Sequence, residues 1–357
     1  MSLRIIRLCR RSLLWALMLS LWGCASLVPL NMPAPALKNP HEAGNYFMAL
    51  LNENNPVKLL SHFSPSNPDV FSSTGSRLLA VKMLERYLET CEKGAFFTGL
   101  QEEVNPRAAR MHFLCYGEQA EFLFELSFAE ERGGYVLTNV DNLSAGYSFA
   151  ELAQVFGSNA PAQQQRIDLL KPLINAKSCE DLAPYQSSGA VPPQYADQSL
   201  LFARVSQLSC LEQFKDTDVE RLWLKETLVH PYGRVWLAAS YLYIQKRWQE
   251  EEPFLALAFD RYQGDWIFHA AAFELKLALG KKEEALYHAT QAFVLSPYPL
   301  VGTILLANAL VKTGNEEAAR KMLPLMKLQK GDLLPEDFRE DMPELARVIT
   351  QSLRTNP

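Results

Sequence analysis

The spacing of apolar side chains divides the chain into a mixed region and a helical region that follows it. From His41 the apolar residues recur at helical spacing. This predicts a helix, then a second short helix ending near Phe63 and a third beginning near Ser76. After Cys91 the hydrophobic period changes to two, as in a β-strand. Four consecutive strands are predicted, at 95–104, 107–116, 119–130 and 135–143.

The order of these elements predicts the fold class of residues 41–146. Within the third strand, one face carries Phe122, Phe124, Leu126 and Phe128. The residues between them share the other face, which is predicted to be wetter. Residues 131–134, Glu-Arg-Gly-Gly, predict a tight turn. Helices followed by an antiparallel meander indicate an α+β domain, with the helices packed on a curved sheet.

The C-terminal part is predicted to be an all-α helical-repeat array. Residues 147–231 have the pattern of an irregular helical segment. Beyond it, the segments Gly280-Lys-Lys-Glu-Glu-Ala and Gly314-Asn-Glu-Glu-Ala-Ala begin 34 residues apart (314 − 280 = 34). Each glycine suits the left-handed position at a helix end, and the acids after it suit the first turn of the next helix. Ala285 and Ala319 are predicted to lie where two helices approach closely.

This period and its small residues resemble the tetratricopeptide repeat (TPR). The resemblance covers residues 232–331, in three repeats starting near Tyr232, Trp266 and Leu300, within a TPR-like array at 232–333. The chain departs from the family pattern at Glu251, Phe273, Met326 and Gly331. Chance helical hairpins of similar length are the alternative. Within the C-terminal segment 334–357, a helix at 343–354 is predicted to cap the array.

The resemblance implies a binding surface. In this family the first helix of each repeat lines a concave face, which binds an extended segment or a helix of another protein. The implied partner-binding groove consists of Trp236, Ser240, Tyr243, Glu274, Leu277, Ile304, Asn308 and Lys312. The element order of the N-terminal domain resembles the NTF2-like cone fold, in which a curved sheet wraps a helix and leaves a pocket. The aromatic residues of the third strand then either line that pocket or form plain core.

The N-terminus has the pattern of an export signal. Residues 1–11 carry four arginines and no acid, and the apolar run at 12–22 is shorter than the about 20 residues of a membrane-spanning helix. The run ends Leu21-Trp22-Gly23-Cys24, which resembles the bacterial lipobox. Residues 1–23 are therefore predicted to be a signal peptide that is removed, leaving a lipid, palmitate among its acyl chains, on Cys24. An ordinary signal peptide that contains a cysteine is the alternative.

The residues after the lipobox predict the location of the folded part. Ala25 implies, in the enterobacterial sorting rule, delivery to the periplasmic side of the outer membrane. Retention in the inner membrane and exposure at the cell surface stay open. Residues 24–40 are rich in proline, and they are predicted to form a semi-extended tether to the membrane.

The composition argues against one class of partner and predicts disulfide bonds. Without residues 1–23 the chain has 31 basic residues (35 − 4) and 40 acidic ones, a net charge of −9 (31 − 40), which argues against a nucleic-acid partner. In an oxidising periplasm an even set of cysteines predicts disulfides. Their grouping favours Cys91 with Cys115 and Cys179 with Cys210. Buried free thiols are the alternative.

No motif in the sequence indicates catalysis. The six histidines form no HExxH motif and have no metal-binding spacing with cysteines or acids. Walker, GxGxxG and GxSxG motifs are absent as well. We therefore expect no cofactor, no metal and no enzymatic activity. The first hypothesis is a lipid-anchored periplasmic adaptor that binds envelope proteins in assembly or regulation. The alternatives are a ligand-binding or hydrolytic N-terminal pocket that the repeats only position, and a purely structural lipoprotein.

Overall fold

A computed structural model describes residues 37–53, 63, 95–103, 108–116, 121–131, 133–151, 161–187, 189–191, 195–230 and 234–355. The predicted signal peptide, the lipidation site Cys24, Cys91 and the helix predicted to begin near Ser76 lie outside these residues. The described residues form two compact units. The first unit ends at Gln245 and the second unit begins at Lys246. This boundary falls inside the first of the three predicted repeats.

A five-stranded antiparallel sheet belongs to the first unit. Its strands lie side by side in chain order, as β1 (Ala95–Glu103), β2 (Ala108–Tyr116), β3 (Glu121–Glu131), β4 (Gly134–Asn142) and β5 (Tyr147–Ser148). The four predicted strands are confirmed, and the short β5 is an addition that the sequence did not reveal. The predicted tight turn joins β3 to β4. Gly133 has a φ of 83° there, a conformation that glycine adopts without steric cost.

Both faces of the sheet are buried. Helix α1 (Pro40–Asn52) packs on the phenylalanine face, where the rings of Phe47 and Phe128 stack with centroids 5.6 Å apart. The opposite face does not match the prediction of a wetter surface, because Leu123 and Glu125 are 3% and 0% exposed. Glu125 tolerates burial because it lies directly opposite His112 on β2 and pairs with its ring.

The described part of the first unit also contains helices that follow the sheet in the chain. They are α2 (Pro161–Asn175), α3 (Cys179–Leu182), α4 (Tyr195–Gln207), α5 (Leu211–Phe214), α6 (Asp218–Val229) and α7 (Val235–Ile244). An aromatic cluster joins three of them. Phe202 of α4 stacks on Trp223 of α6 at 4.1 Å, and Tyr241 of α7 meets both rings edge-on. Residues 235–244, predicted as part of the repeat array, thus contribute to the core of the first unit.

A disulfide links two helix starts in the first unit. Cys179 is the first residue of α3 and Cys210 precedes α5, and the two are bonded with Cα atoms 5.4 Å apart. This pairing confirms the prediction from the sequence. Cys115 is also disulfide-bonded. Its pairing with Cys91 stays a prediction, because Cys91 lies outside the described residues.

The second unit is helical. Its helices are α8 (Trp248–Tyr262), α9 (Trp266–Ala278), α10 (Lys282–Leu295), α11 (Pro299–Lys312), α12 (Glu316–Lys330), α13 (Glu336–Arg339) and α14 (Pro343–Thr355). From α8 to α12 each helix packs against the next. The predicted C-terminal helix is α14, which packs on α11 and α12. Its Leu345, Val348 and Ile349 enter the same buried cluster as Ala307 and Val311.

One turn geometry recurs at a fixed interval. Lys246, Gly280 and Gly314 follow α7, α9 and α11, and their φ angles are 59°, 75° and 93°. The positions are 34 residues apart (280 − 246 and 314 − 280). The prediction of left-handed glycines is confirmed at Gly280 and Gly314, whereas Lys246 adopts that conformation without being glycine. The order of the elements, a sheet with helices followed by a largely helical part, agrees with the predicted fold class.

Candidate functional site

The predicted groove residues are divided between the two units. Trp236, Ser240 and Tyr243 lie on α7 in the first unit. Trp236 is 6% exposed, so its ring is a core side chain, while Ser240 and Tyr243 are half-buried. The remaining five residues lie in the second unit, where Glu274 and Leu277 are on α9 and Ile304, Asn308 and Lys312 are on α11.

An ion pair connects α9 and α11. The Lys312 ammonium lies 3.2 Å from both carboxylate oxygens of Glu274. The two side chains are only 18% and 11% exposed, so this pair is shielded from solvent more than a surface pair. The same ammonium lies 5.8 Å from the centroid of the Phe273 ring. Leu277 packs against an apolar cluster that contains Phe273 of α9 and Ala309 of α11, and Ile304 packs against a different cluster nearer the C-terminus.

Asn308 lies one turn before Lys312 on α11 and has an unusual environment. Its side chain is 1% exposed, and neither its amide nitrogen nor its amide oxygen has a hydrogen-bond partner among the described residues. A buried polar atom without a partner destabilises the folded state by about 1–3 kcal/mol. The side chain therefore carries one donor group and one acceptor that no described residue satisfies. A peptide group of another chain offers the complementary pair, and at 1% exposure the amide becomes accessible to it only when the side chains around it move.

Glu251, also in the second unit, is another buried polar side chain with an oxygen atom that lacks a hydrogen-bond partner among the described residues. It is 3% exposed, and its Oε2 has no partner. Burial raises its pKa to about 8. The sequence revealed this position as a departure from the family pattern, because the corresponding residues Ala285 and Ala319 are small. Both alanines are fully buried, as predicted for a close approach of helices.

Two histidines meet between α9 and α10. The Nδ1 atoms of His269 and His288 are 2.9 Å apart, and Nε2 of His269 lies 3.0 Å from the carbonyl oxygen of Gln263. Burial lowers the pKa of His269 and lowers the pKa of His288 to about 4. Both rings are therefore neutral at pH 7. The sequence did not reveal this pair, because its members are 19 residues apart and meet only through the packing of two helices.

The first unit also contains a buried hydrogen bond between a histidine and a carboxyl group. His112 Nε2 is 2.9 Å from Glu125 Oε2, with side-chain exposures of 2% and 0%. Ser127 donates a hydrogen bond to the other oxygen of Glu125, and Asp141 lies opposite Glu125 on β4. These polar residues lie on the sheet face opposite α1. The face that packs on α1, which corresponds to the predicted pocket, carries Met111, Phe113, Phe124, Leu126 and Phe128, all at most 1% exposed.

Two further features, a metal site and a membrane-spanning helix, are absent from the described residues. The described part of the chain has no group of three or more His, Cys, Asp or Glu side chains placed to hold a metal. None of its described helices is long and apolar enough to cross a membrane. Comparison with protein-family models, curated proteins and solved structures gives no match to this chain.

Proposed function

We propose that the chain is a lipid-anchored periplasmic adaptor without enzymatic activity, whose TPR-like second unit binds an extended segment of another envelope protein. The lipid on Cys24, the outer-membrane location and the repeat family are parts of this proposal. The observation that carries it is Asn308. Its buried amide has a donor and an acceptor without partners, and it lies on the helix that the repeat pattern assigns to the groove.

The repeat geometry supports the proposal. The same turn recurs three times at an interval of 34 residues, and the position of Asn308 corresponds to Glu274 and Ser240 one and two repeats earlier (308 − 34 and 274 − 34). All three are polar residues on the first helix of a predicted repeat. Since most first-helix residues near them are apolar, polar side chains at one repeat position suit hydrogen bonding to a peptide backbone.

The alternative, a ligand-binding or hydrolytic pocket in the first unit, has less support. A pocket that performs chemistry needs polar groups directed into it. The described sheet residues facing α1 are instead aromatic and aliphatic, and the ring of Phe47 fills part of that space. The polar residues His112 and Glu125 lie on the opposite face and are occupied by each other.

The experiment that tests the proposal is cross-linking in intact cells followed by pull-down of the full-length protein. The test variant is Asn308→Leu, which keeps the number and branching of the side-chain heavy atoms and removes the unused donor and acceptor. We expect this variant to be at least as stable as the wild type, because the unsatisfied polar atoms are gone. We expect it to lose a specific envelope protein that the wild type captures.

The matched control is Gln249→Leu, which removes an exposed amide from α8 in the same unit. Recovery with the wild type and the control but not with Asn308→Leu supports the groove. Equal recovery with all three proteins, or no specific protein from any of them, contradicts the adaptor proposal.

A further inference from the structure

We propose that the first turn of α8, residues 248–252, is a pH switch, which stays packed when Glu251 is protonated and opens locally when Glu251 is ionised. The turn lies near the start of the second unit. It contains neither Asn308 nor any other residue of the predicted groove. The switch is therefore independent of the proposed adaptor function.

Two backbone features set this turn apart from the rest of α8. Lys246 precedes it with a φ of 59°, a left-handed conformation that is unfavourable for a residue with a Cβ. Pro253 follows it inside the helix. A proline has no N–H, so it cannot donate the hydrogen bond that the carbonyl of Gln249 accepts in an uninterrupted helix. Opening of the turn therefore breaks few hydrogen bonds of α8.

The rest of α8 is fixed by its apolar side chains. Phe254 and Leu255 are 3% and 6% exposed. Further along the helix, the rings of Phe259 and Tyr262 lie 5.9 Å and 6.3 Å from the ring of Phe268 on α9. These contacts hold the helix beyond Pro253 against α9, so the opening is confined to the first turn.

Glu251 is the buried ionisable residue of this turn. Its side chain is 3% exposed, and its Oε2 has no hydrogen-bond partner among the described residues. A charged carboxylate without a partner is strongly disfavoured in such a position, and burial raises the pKa of Glu251 to about 8. The neutral form remains packed, whereas the ionised form must reach water. A movement of the turn brings it there.

Ion pairs hold the exposed side of the same turn. Glu250 pairs with Arg247, and Glu252 accepts hydrogen bonds from Lys276 and Lys281. The side chains of Glu250 and Glu252 are 55% and 32% exposed, so these pairs contribute little stability. The two lysines lower the pKa of Glu252, which therefore stays ionised above pH 4.5 and does not add to the switch.

The helices that pack against α8 contribute no charge that stabilises the ionised form. Asp265 caps α9 by accepting hydrogen bonds from backbone amides, and Glu274 and Glu284 each pair with a lysine. His269 and His288 bond to each other, and burial lowers the pKa of both rings. Burial alone therefore accounts for the raised pKa of the carboxyl group in the turn.

The pH range of the switch follows from the pKa of Glu251 in its two states. That pKa is 4.5 when the side chain is exposed and about 8 when it is packed. Protonation thus favours the packed turn fully below pH 4.5, and this preference is lost as the pH rises through 8. Opening releases one proton between these values, so the equilibrium constant for opening increases about tenfold per pH unit.

The test is hydrogen exchange of the full-length protein between pH 5.5 and 7.5, resolved to single amides and corrected for the intrinsic exchange rate. The amides of Glu250 and Glu251 donate to the carbonyl of Arg247 and report on the turn. We expect their equilibrium constants for opening to rise about a hundredfold over these two pH units. Amides inside α9 to α12 should not follow this change.

Two variants assign the pH dependence to one carboxyl group. Glu251→Gln keeps the shape of the protonated side chain and cannot ionise, so the turn should stay packed at every pH tested. The matched control is Glu250→Gln, which changes the neighbouring exposed carboxyl group and should keep the pH dependence. The proposal is wrong if opening in the wild type does not depend on pH, if Glu251→Gln keeps the dependence, or if α9 to α12 open together with the turn.

A measurement on the wild-type protein decides the question even if Glu251→Gln does not fold. The ¹³C resonance of the Glu251 carboxyl carbon should titrate with a midpoint far above 4.5. A midpoint near 4.5 would mean that the group ionises without hindrance, and it would contradict the proposal. Failure of the adaptor experiment leaves both results unaffected, because that experiment changes Asn308.

Discussion

The two units bury carboxyl groups in different ways, although both contain buried polar atoms without a partner among the described residues, such as Ser199 Oγ in the first unit and Asn308 Oδ1 in the second. In the first unit the buried carboxylates have partners: Glu125 pairs with His112, Asp197 with Arg166 at 2.9 Å, and Glu220 accepts a hydrogen bond from Tyr241 at 2.7 Å. In the second unit Glu251 is buried without a charged partner, and the amide of Asn308 has none at all.

A buried polar group affects the free energy of unfolding according to whether it has a partner. A buried charge with a well-placed partner fixes a packing arrangement, and removing one member leaves the other uncompensated. A buried polar group without a partner lowers stability, and native proteins retain few of them. We therefore regard the paired carboxyl groups of the first unit as structural, and an unpaired polar group on a predicted groove helix, such as Asn308, as the better candidate for binding.

The largest effect is expected from His112→Leu. The substitution leaves Glu125 buried without its histidine partner, so we expect the free energy of unfolding of the first unit to fall by about 3–5 kcal/mol. Hydrogen exchange resolved along the sequence during urea unfolding measures this loss. The double variant His112→Leu/Glu125→Leu is the control, and it should lose much less. If the single variant is as stable as the wild type, the pair has no structural role.

Loss of the disulfide should also destabilise only the first unit. Cys179 and Cys210 are 31 residues apart, and a loop of that size contributes about 3–4 kcal/mol in the chain-entropy model. We expect Cys179→Ala/Cys210→Ala to lower the urea midpoint of the first unit by a corresponding amount. Hydrogen exchange in α9 to α12 should remain the same. A loss of protection there would mean that the units unfold together.

Glu251→Ala is expected to act in the opposite direction. It removes a buried carboxyl group without a partner and places alanine where Ala285 and Ala319 occur in the other repeats. We expect the free energy of unfolding of the second unit to rise by about 1–3 kcal/mol. Thermal unfolding measures the gain. A decrease in stability would show that Glu251 has a partner that the packing of α8 hides.

Changes of pH should act on the second unit through two groups. Glu251 has a folded-state pKa raised from 4.5 to about 8, so its contribution is full below pH 4.5 and is lost as pH rises through 8. His288 has a pKa lowered from 6.5 to about 4, so its contribution is present above pH 6.5 and is lost as pH falls through 4. We therefore expect these two contributions to be largest together between pH 4.5 and 6.5.

Two substitutions separate these groups. Glu251→Gln should flatten the loss of stability between pH 6.5 and 8. In the wild type the opposing slopes of the two groups cancel between pH 4.5 and 6.5, so His288→Gln should extend the loss with rising pH down to pH 4.5. Urea unfolding at closely spaced pH values measures both slopes. An unchanged slope in either variant assigns the dependence to another residue.

The smallest effect concerns the recurring turn. Lys246 has a left-handed φ of 59°, which is unfavourable for a residue with a Cβ. Lys246→Gly should therefore stabilise the chain by about 0.5–1 kcal/mol, and Gly280→Ala should destabilise it by about 1 kcal/mol. Differential scanning calorimetry of both variants checks the pair. Shifts of the same sign would contradict the view that the two turns are equivalent.

Local sequence signals predicted much of the fold. The alternating apolar residues of β3 predicted a strand, and the glycines at 280 and 314 predicted helix ends. Both signals are local, because they depend only on the conformation of the residues that carry them. The sequence could not reveal that Trp236 belongs to the core of the first unit, since that depends on which helices pack together. The partners of Glu125 and His288 also come from other elements, at distances along the chain that no short motif contains.

The turn that recurs every 34 residues makes the length of the second unit adjustable. Removing residues 281–314 would join Gly280 directly to Asn315 and Glu316, which already follow a left-handed glycine in the native chain. A shorter array with the same connection would result, whereas a deletion of another length would place a helix interior at the turn. Duplication or loss of a whole 34-residue segment would therefore need no new connecting loop.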